Sequence, residues 1–409
     1  MSLQRRRFLA ATAAVPLLTT AAPAAADPHR GVLPGVDVLA AQRWKLLAGR
    51  KVGVVSNPTG VLRDGTHLVD AMPRPLAVFG PEHGFRGTAQ AGGSEGDYLD
   101  PRTGIPVYDA YGASAAKLAG QYAKAGVDTV VFDIADVGAR FYTYIWTMLT
   151  AMHAAVIADA AFIVLDRPNP VGGTPYGPVL DPAYASGVGR KPIVQQHGMT
   201  VGELARLFDA EYLPTDAGKR LRELIVVKAE GWRRSDDFAR TGLSWVLPSP
   251  NMPTPETALV YPGTCLFEGT VFSEGRGTTR PFEIIGAPGL DWRWAEELNR
   301  LRLPGARFRE QYFSPTFGKF TGRTCGGVQL YPGAGLDPIR TAVAMIVTAK
   351  RLYPDVFAWR PDNFIDLLSG SDRLRRMVDA GAGVDAVVRA WAGELAAFER
   401  LRRPYLLYR

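Results

Sequence analysis

Two cysteines in 409 residues, Cys265 and Cys325, are too few for a disulfide scaffold and exclude a cysteine-based zinc site. An oxidising compartment would permit one bridge between them, and two buried free thiols are an equally ordinary arrangement. The five histidines, His29, His67, His83, His153 and His197, lack zincin spacing, so a metal site could arise only by tertiary assembly. No dinucleotide fingerprint or phosphate loop of standard spacing follows any apolar run. This counts against nicotinamide cofactors and nucleoside triphosphates, and no cofactor is implied. Lysine and arginine are dispersed, without a basic block interleaved with aromatics, which argues against nucleic acid. Internal repeats are absent too. Beyond the N-terminus there is no long uncharged apolar run, hence no stable membrane insertion is expected.

What is present begins with Gln4-Arg5-Arg6-Arg7-Phe8-Leu9, an Ala/Thr/Leu stretch and Ala24-Ala25-Ala26. This reads as a twin-arginine export signal over residues 1–26 with a small-residue cleavage site, placing the mature protein outside the cytoplasm, periplasmic, wall-associated or extracellular. Its removal takes three arginines and no acid, lowering the formal charge from +7 to +4. Such mild basicity suits work near an anionic cell-wall polymer. The remaining length is enough for about two domains.

Apolar, β-branched runs recur at Lys51 to Ser56, Leu76 to Phe79, Thr129 to Phe132 and Phe162 to Leu165. Helical stretches at Ala113 to Ala125 and Tyr142 to Asp159 separate some of them, and Thr200-Val201-Gly202-Glu203 opens another helix with a capping box. This alternation predicts an α/β fold, a Rossmann-like parallel-sheet domain over 27–247 ending with strand Leu224 to Val227. A stiff Pro-rich linker over 248–257 follows. Beyond it, Gly- and Pro-rich segments, a helix near Trp292 to Leu301, strands near Arg307 to Tyr312 and Gly326 to Leu330, and a helix over Asp337 to Tyr353 predict a smaller α+β domain over 258–409 that closes the cleft.

Parallel sheets bind ligands beyond the carboxyl ends of their strands. Asn57-Pro58-Thr59-Gly60, Pro81-Glu82-His83-Gly84, Asp133 through Arg140, and Asp166-Arg167-Pro168-Asn169-Pro170 occupy those ends, and together describe a crevice of acids, amides and arginine with few apolar residues. That composition suits a sugar, and glycosidic cleavage generally needs two carboxyl groups in unlike surroundings. Glu82, following a buried strand, is the candidate general acid, with His83 orienting it or touching substrate. Glu274 is the candidate second carboxyl. Its loop, Phe272 to Glu283, sets two carboxylates and two guanidiniums between glycines and comes from the other domain. Asp133 and Asp136 compete with it. Tyr142, Tyr144 and Trp146 offer either a stacking platform for a pyranose or core packing. Gly92-Gly93-Ser94-Glu95-Gly96 matches a serine-hydrolase elbow by letter but lacks the strand before and the helix after.

These segments, with Gly35-Val36-Asp37, Pro248-Ser249-Pro250-Asn251-Met252-Pro253 and Ser273 through Glu283, resemble the exo-β-N-acetylmuramidases of bacterial cell-wall recycling, across essentially the whole mature chain. The Asn57-Pro58-Thr59 segment departs from that pattern, in which Gln is expected at the middle position. The resemblance implies an interdomain cleft and release of terminal N-acetylmuramic acid from the non-reducing end of peptidoglycan fragments, the sugar or muropeptide being the partner. It implies catalytic roles among Glu82, Glu274, Asp133 and Asp136, and substrate contacts from Asn57, His83, Arg140, Tyr142, Asn169, Asn251, Arg276, Thr278 and Arg280. The arginines would meet the lactyl carboxylate of that sugar.

Overall fold

A computed structural model describes residues 31–409; the export signal expected over 1–26 and the first residues of the mature chain lie outside the described residues. Nine strands come from the first part of the chain: β1 (Val52–Ser56), β2 (Ala77–Gly80), β3 (Tyr98–Leu99), β4 (Pro106–Asp109), β5 (Thr129–Asp133), β6 (Ala161–Leu165), β7 (Tyr176–Val179), β8 (Val194–Gln196) and β9 (Leu224–Val227). Seven form one sheet in the order β3-β4-β2-β1-β5-β6-β9, parallel apart from the antiparallel edge strand β3. Side-chain alternation divides the central strands between two cores. Val54, Val78, Val131 and Ile163 face a small apolar cluster, while Val55, Phe79, Phe132 and Val164 face a larger one. Both faces are covered, which is why these strands read as continuous apolar runs.

The helices follow their local signals. Ala115–Ala125 starts at Ser114, whose Oγ accepts from the Lys117 N–H, and stops at Gly126 with φ +71°. Val201–Glu211 has the full capping box of Thr200 and Glu203. Tyr144–Ile157 is apolar almost all round and buried. The short strands β3 and β4 and the antiparallel pair β7–β8 carry no clear periodicity in the sequence and were not expected from it.

The smaller domain is built on an antiparallel sheet ordered β10-β12-β11, from β10 (Ile284–Ala287), β11 (Ala306–Phe313) and β12 (Cys325–Pro332). Helices Pro255–Thr264, Arg293–Arg300 and Pro338–Leu352 pack against it and each other. Part of the segment expected as linker is helical, because Pro255 occupies the first turn and Thr254 Oγ1 accepts from the Thr257 N–H. The larger core continues into this domain without a break, through edge-to-face contacts of Phe141 and Tyr142 with Tyr261, and of Tyr261 with Phe282. Cys265 and Cys325 are both buried and free.

Arg140 pins the two domains together. Its guanidinium is wholly buried and donates to the Pro178 and Ile193 carbonyls at 3.0 Å each and to the Leu368 carbonyl at 2.8 Å. Gly370, at φ +88°, leaves room for it, since a Cβ there would lie 2.8 Å from Nη2. Burial pushes the Arg140 pKa down to about 9, which still leaves the group charged at neutral pH. Arg140 therefore acts as a strut, and the expectation that it contacts substrate is corrected. Replacing Arg140 by Met strands three carbonyls, so the unfolding free energy should fall by about 3 kcal/mol in a denaturant titration. The KM of the folded fraction should stay unchanged; a raised KM at unaltered stability would restore the substrate contact.

Candidate active site

From β1 the chain of connections runs outward to β2 and β4, and from β5 outward the other way to β6 and β9. The reversal leaves a crevice beyond the carboxyl ends of β1 and β5. The loops flanking it are laced tightly. Ser56 Oγ donates to the Asp133 carbonyl at 2.9 Å, and the Ala135 N–H donates to Thr59 Oγ1 at 2.9 Å. Asn57 Oδ1 accepts from the Thr59 N–H and hydroxyl. Buried His67, its pKa lowered by desolvation, accepts from the Val69 N–H at Nδ1, so Nε2 carries the proton and donates to the Asn57 carbonyl at 3.0 Å. Asn57 Nδ2, by contrast, is buried without a partner.

At the end of β2 the chain turns sharply. His83 adopts φ +69° and Gly84 φ +87°, a pair of left-handed residues that sets Glu82 at the apex. Gly84 cannot be replaced freely, because a Cβ would fall 2.1 Å from Glu95 Cδ. Glu95 fills the turn, accepting from Phe85, Arg86 and Thr88 N–H groups and from the Thr88 and Tyr98 hydroxyls. Burial works to raise its pKa, but these donors prevail and lower it. The elbow-like segment is thus a structural clasp, and Ser94 donates to Asp109 at 2.6 Å. Glu82 Oε1 accepts from the Gly92 N–H and Oε2 from the Thr143 hydroxyl, both at 2.8 Å. Buried His83 donates from Nδ1 to the Ala89 carbonyl at 3.1 Å, which fixes its ring in the same loop.

The acids after β5 part company. Asp133 is fully buried and bonded to Arg167 Nε at 2.6 Å and Nη2 at 2.8 Å, so its carboxylate is committed within the fold. Asp136 Oδ2 accepts from the Gly138 N–H at 2.6 Å and from His197 Nε2 at 3.0 Å, while Oδ1 is buried without a partner. His197 Nδ1 accepts from the Met199 N–H, which places the ring proton on Nε2. Asn169 is also committed, donating to the Met199 carbonyl and accepting from the Val171 N–H, and it shapes a turn. Asn251 is buried in the turn after Pro248, its N–H bonded to Ser249 Oγ.

Tyr142 joins the pieces. Its hydroxyl is buried without a partner, and burial, then the neighbouring Tyr144 and the charges of Asp136 and Glu82, raise its pKa well above the ordinary value. It therefore keeps its proton. Tyr144 donates to the Pro248 carbonyl, and the side chain of Asn57 lies close enough to act on its hydroxyl. Trp146 is a core residue, stacked on Phe208 with its N–H on the Arg140 carbonyl.

The glycine-rich loop of the smaller domain lies beyond Tyr261 and Phe282. Glu274 is buried and paired with Lys319 Nζ at 2.9 Å and Arg276 Nε at 3.4 Å. Arg276 also binds Glu268 at 2.6 Å and lies over the Phe282 ring. Lys319 spends its other donors on the Phe267 and Phe272 carbonyls. Thr278 Oγ1 donates to the Gly275 carbonyl and accepts from the Arg280 N–H, which makes it a turn former. Arg280 is partly exposed and reaches Glu283 at 3.4 Å. The structure thus gathers Asn57, Glu82, Asp136 and Tyr142 at one place, and sets Glu274 and Arg276 behind a ring column.

Several site features had no local signal in the sequence. Thr143 and the Gly92 N–H hold Glu82, and His197 holds Asp136 from 61 residues away. The crevice is also less polar than its strand ends implied. Phe238, Leu243, Trp245 and Val246 wall a cavity that Thr59, Ala135, Asp136 and Arg167 complete.

Residues 52–256 match the family model described as exo-beta-N-acetylmuramidase NamZ, N-terminal, and residues 259–408 its C-terminal counterpart. The peptidoglycan beta-N-acetylmuramidase NamZ of Bacillus subtilis (strain 168) is 46% identical over 386 residues, 92% of this chain and 91% of that protein. Two crystal structures of DUF1343 family proteins from Bacteroides fragilis NCTC 9343 share the fold. One superposes with a TM-score of 0.84 at 33% identity, the other with 0.73 at 31%, each over 92% of this chain and 99% of its own. With both halves matched and a relative this similar along nearly its full length, the chain belongs to the NamZ family of exo-β-N-acetylmuramidases.

Proposed function

We propose that this protein is an exo-acting glycoside hydrolase that releases terminal β-1,4-linked N-acetylmuramic acid from the non-reducing end of peptidoglycan fragments, in cell-wall turnover. The observation that carries the reading is a pair of carboxylates on the loops after β2 and β5 in unlike surroundings, Glu82 half-buried on the Gly92 N–H and Thr143 hydroxyl, Asp136 buried on the Gly138 N–H and His197. Glycosidic cleavage asks for that asymmetry. The name of the Bacillus subtilis relative supplies the substrate class.

Glu82 is the general acid. It lies on a partly open loop, and the Thr143 hydroxyl can donate to its carboxylate or accept from its protonated form, so one contact serves both states. Asp136 is the partner carboxylate, oriented by His197 and Gly138 so that one oxygen stays free for the substrate. The twin-arginine segment supports export to the compartment where the substrate lies.

Incubating the mature protein with an aryl β-N-acetylmuraminide beside the matching β-N-acetylglucosaminide tests the reading directly. Aryl release from the first alone is expected. Release from neither by a folded protein would sink it. Glu82→Gln should lower kcat/KM by roughly 10²- to 10⁴-fold while calorimetry still detects sugar binding; near-full activity would remove Glu82 from the mechanism. His197→Ala frees Asp136 to rotate and should lower kcat on the order of tenfold, with partial recovery in His197→Gln, whose amide can donate to the same oxygen. Equal loss in both variants would assign His197 to stability alone.

A further inference from the structure

The cavity beside Asp136 has a composition that the acid–base pair does not explain. Its wall of Phe238, Leu243, Trp245 and Val246 is apolar, and it is rigid: the Trp245 N–H donates to the Met252 carbonyl at 3.0 Å, and the indole packs edge-on to Phe238 at 4.8 Å. Against this wall stands Asp136, 6% exposed, with Oδ1 unpartnered. A buried carboxylate oxygen without a donor is destabilising unless a ligand supplies one. Two arginines also line it: Arg167, which spends Nε and Nη2 on Asp133, and exposed Arg63 at the rim, whose guanidinium reaches, among the described residues, only the Gly31 carbonyl. An acceptor beside apolar carbon calls for a group with an N–H at one end and a methyl at the other.

Resting on the muramidase reading, we propose that this cavity takes the 2-acetamido group of the terminal sugar, with its N–H on Asp136 Oδ1 and its methyl against Leu243, Trp245 and Val246. The lactyl ether, the other methyl-bearing substituent of that sugar, has no N–H to offer Asp136, and its carboxylate would be repelled from that inner end and drawn to Arg63 at the rim. The cavity therefore reads the N-acyl group, and the lactyl group is met elsewhere.

Aryl β-muraminides carrying N-acetyl, N-propionyl or N-butyryl groups test this with the wild-type protein and the Leu243→Ala and Val246→Ala variants. The wild type should lose at least tenfold in kcat/KM from acetyl to butyryl, because a filled pocket rejects added methylenes. Each truncation should narrow that ratio severalfold while leaving the preference for muraminide over glucosaminide unchanged. An acetyl-to-butyryl ratio identical in all three proteins would overturn the assignment. So would variants that instead change the muraminide preference, since the cavity would then hold the lactyl group. Should the wild type turn over none of the glycosides, the muramidase reading fails separately, and calorimetry with N-acetyl- and N-butyrylmuramic acid reads the same ratio as dissociation constants. A variant that fails to fold is replaced by Trp245→Phe, which keeps the aromatic wall and should shift the ratio in the same direction.

Discussion

Everything functional here depends on one topological constraint, the reversal of strand order between β1 and β5. The crossover connections depart in opposite directions, so nothing covers the carboxyl ends of those two strands. Their loops must satisfy their own backbone groups, and they do so with small polar side chains. Ser56 reaches the Asp133 carbonyl, Thr59 the Ala135 N–H, and His67 the Asn57 carbonyl. These bonds hold the crevice open and rigid before any ligand arrives. They also explain why the positions after each apolar strand are polar: half of that polarity is used to build the site and half is left for its chemistry.

The distinction between the two halves lies in pairing. A buried charge is tolerated when matched, and most of the acids here are matched: Asp133 with Arg167, Glu203 with Arg234, Glu274 with Lys319 and Arg276. Buried arginines without an acid are satisfied by carbonyls instead. Arg140 does so between the domains, and Arg402 does so on Gly173, His197 and Gly198, next to the ring that holds Asp136. The chain end closes the same region, with the Tyr408 hydroxyl on Asp166 and the Leu407 N–H on Glu203. The C-terminal segment thus braces the wall from which His197 reaches the site, although it lies far away in sequence.

Much of this was legible from the residues alone. The apolar runs, the Thr200 capping box and the Asp337 helix start each rest on local rules of periodicity and capping, and the structure follows them. Glu82 could be singled out because a carboxylate after a buried strand, between Pro81 and Gly84, has little reason to be there for stability. The commitments of Arg140, Asp133 and Asn169 within the fold were not legible in sequence, since burial and pairing arise from tertiary contacts. Asp133 meets its partner 34 residues on, and Arg140 meets Leu368 from 228 residues away. The apolar wall was hidden for the opposite reason. Phe238, Leu243, Trp245 and Val246 lie in an irregular segment with no period to reveal which way they face.

The resulting electrostatics favour one kind of transition state. The buried or half-buried cations near the site are occupied, Arg167 by Asp133, and Arg276 and Lys319 by Glu274 and Glu268, which leaves exposed Arg63 at the cavity rim. His197 bears its proton on Nε2 and accepts at Nδ1, so it donates to Asp136 as a neutral ring and leaves the carboxylate charge intact. Burial keeps Tyr142 protonated. A bound sugar thus meets uncompensated negative charge with fixed geometry, and a fixed negative charge stabilises positive charge developing at an anomeric carbon. Were Asp136 paired to an arginine in the manner of Asp133, the fold would be no worse, but that stabilisation would be lost. The substitution of a neutral histidine for a cationic partner is what separates the carboxylate proposed for catalysis from the structural one beside it.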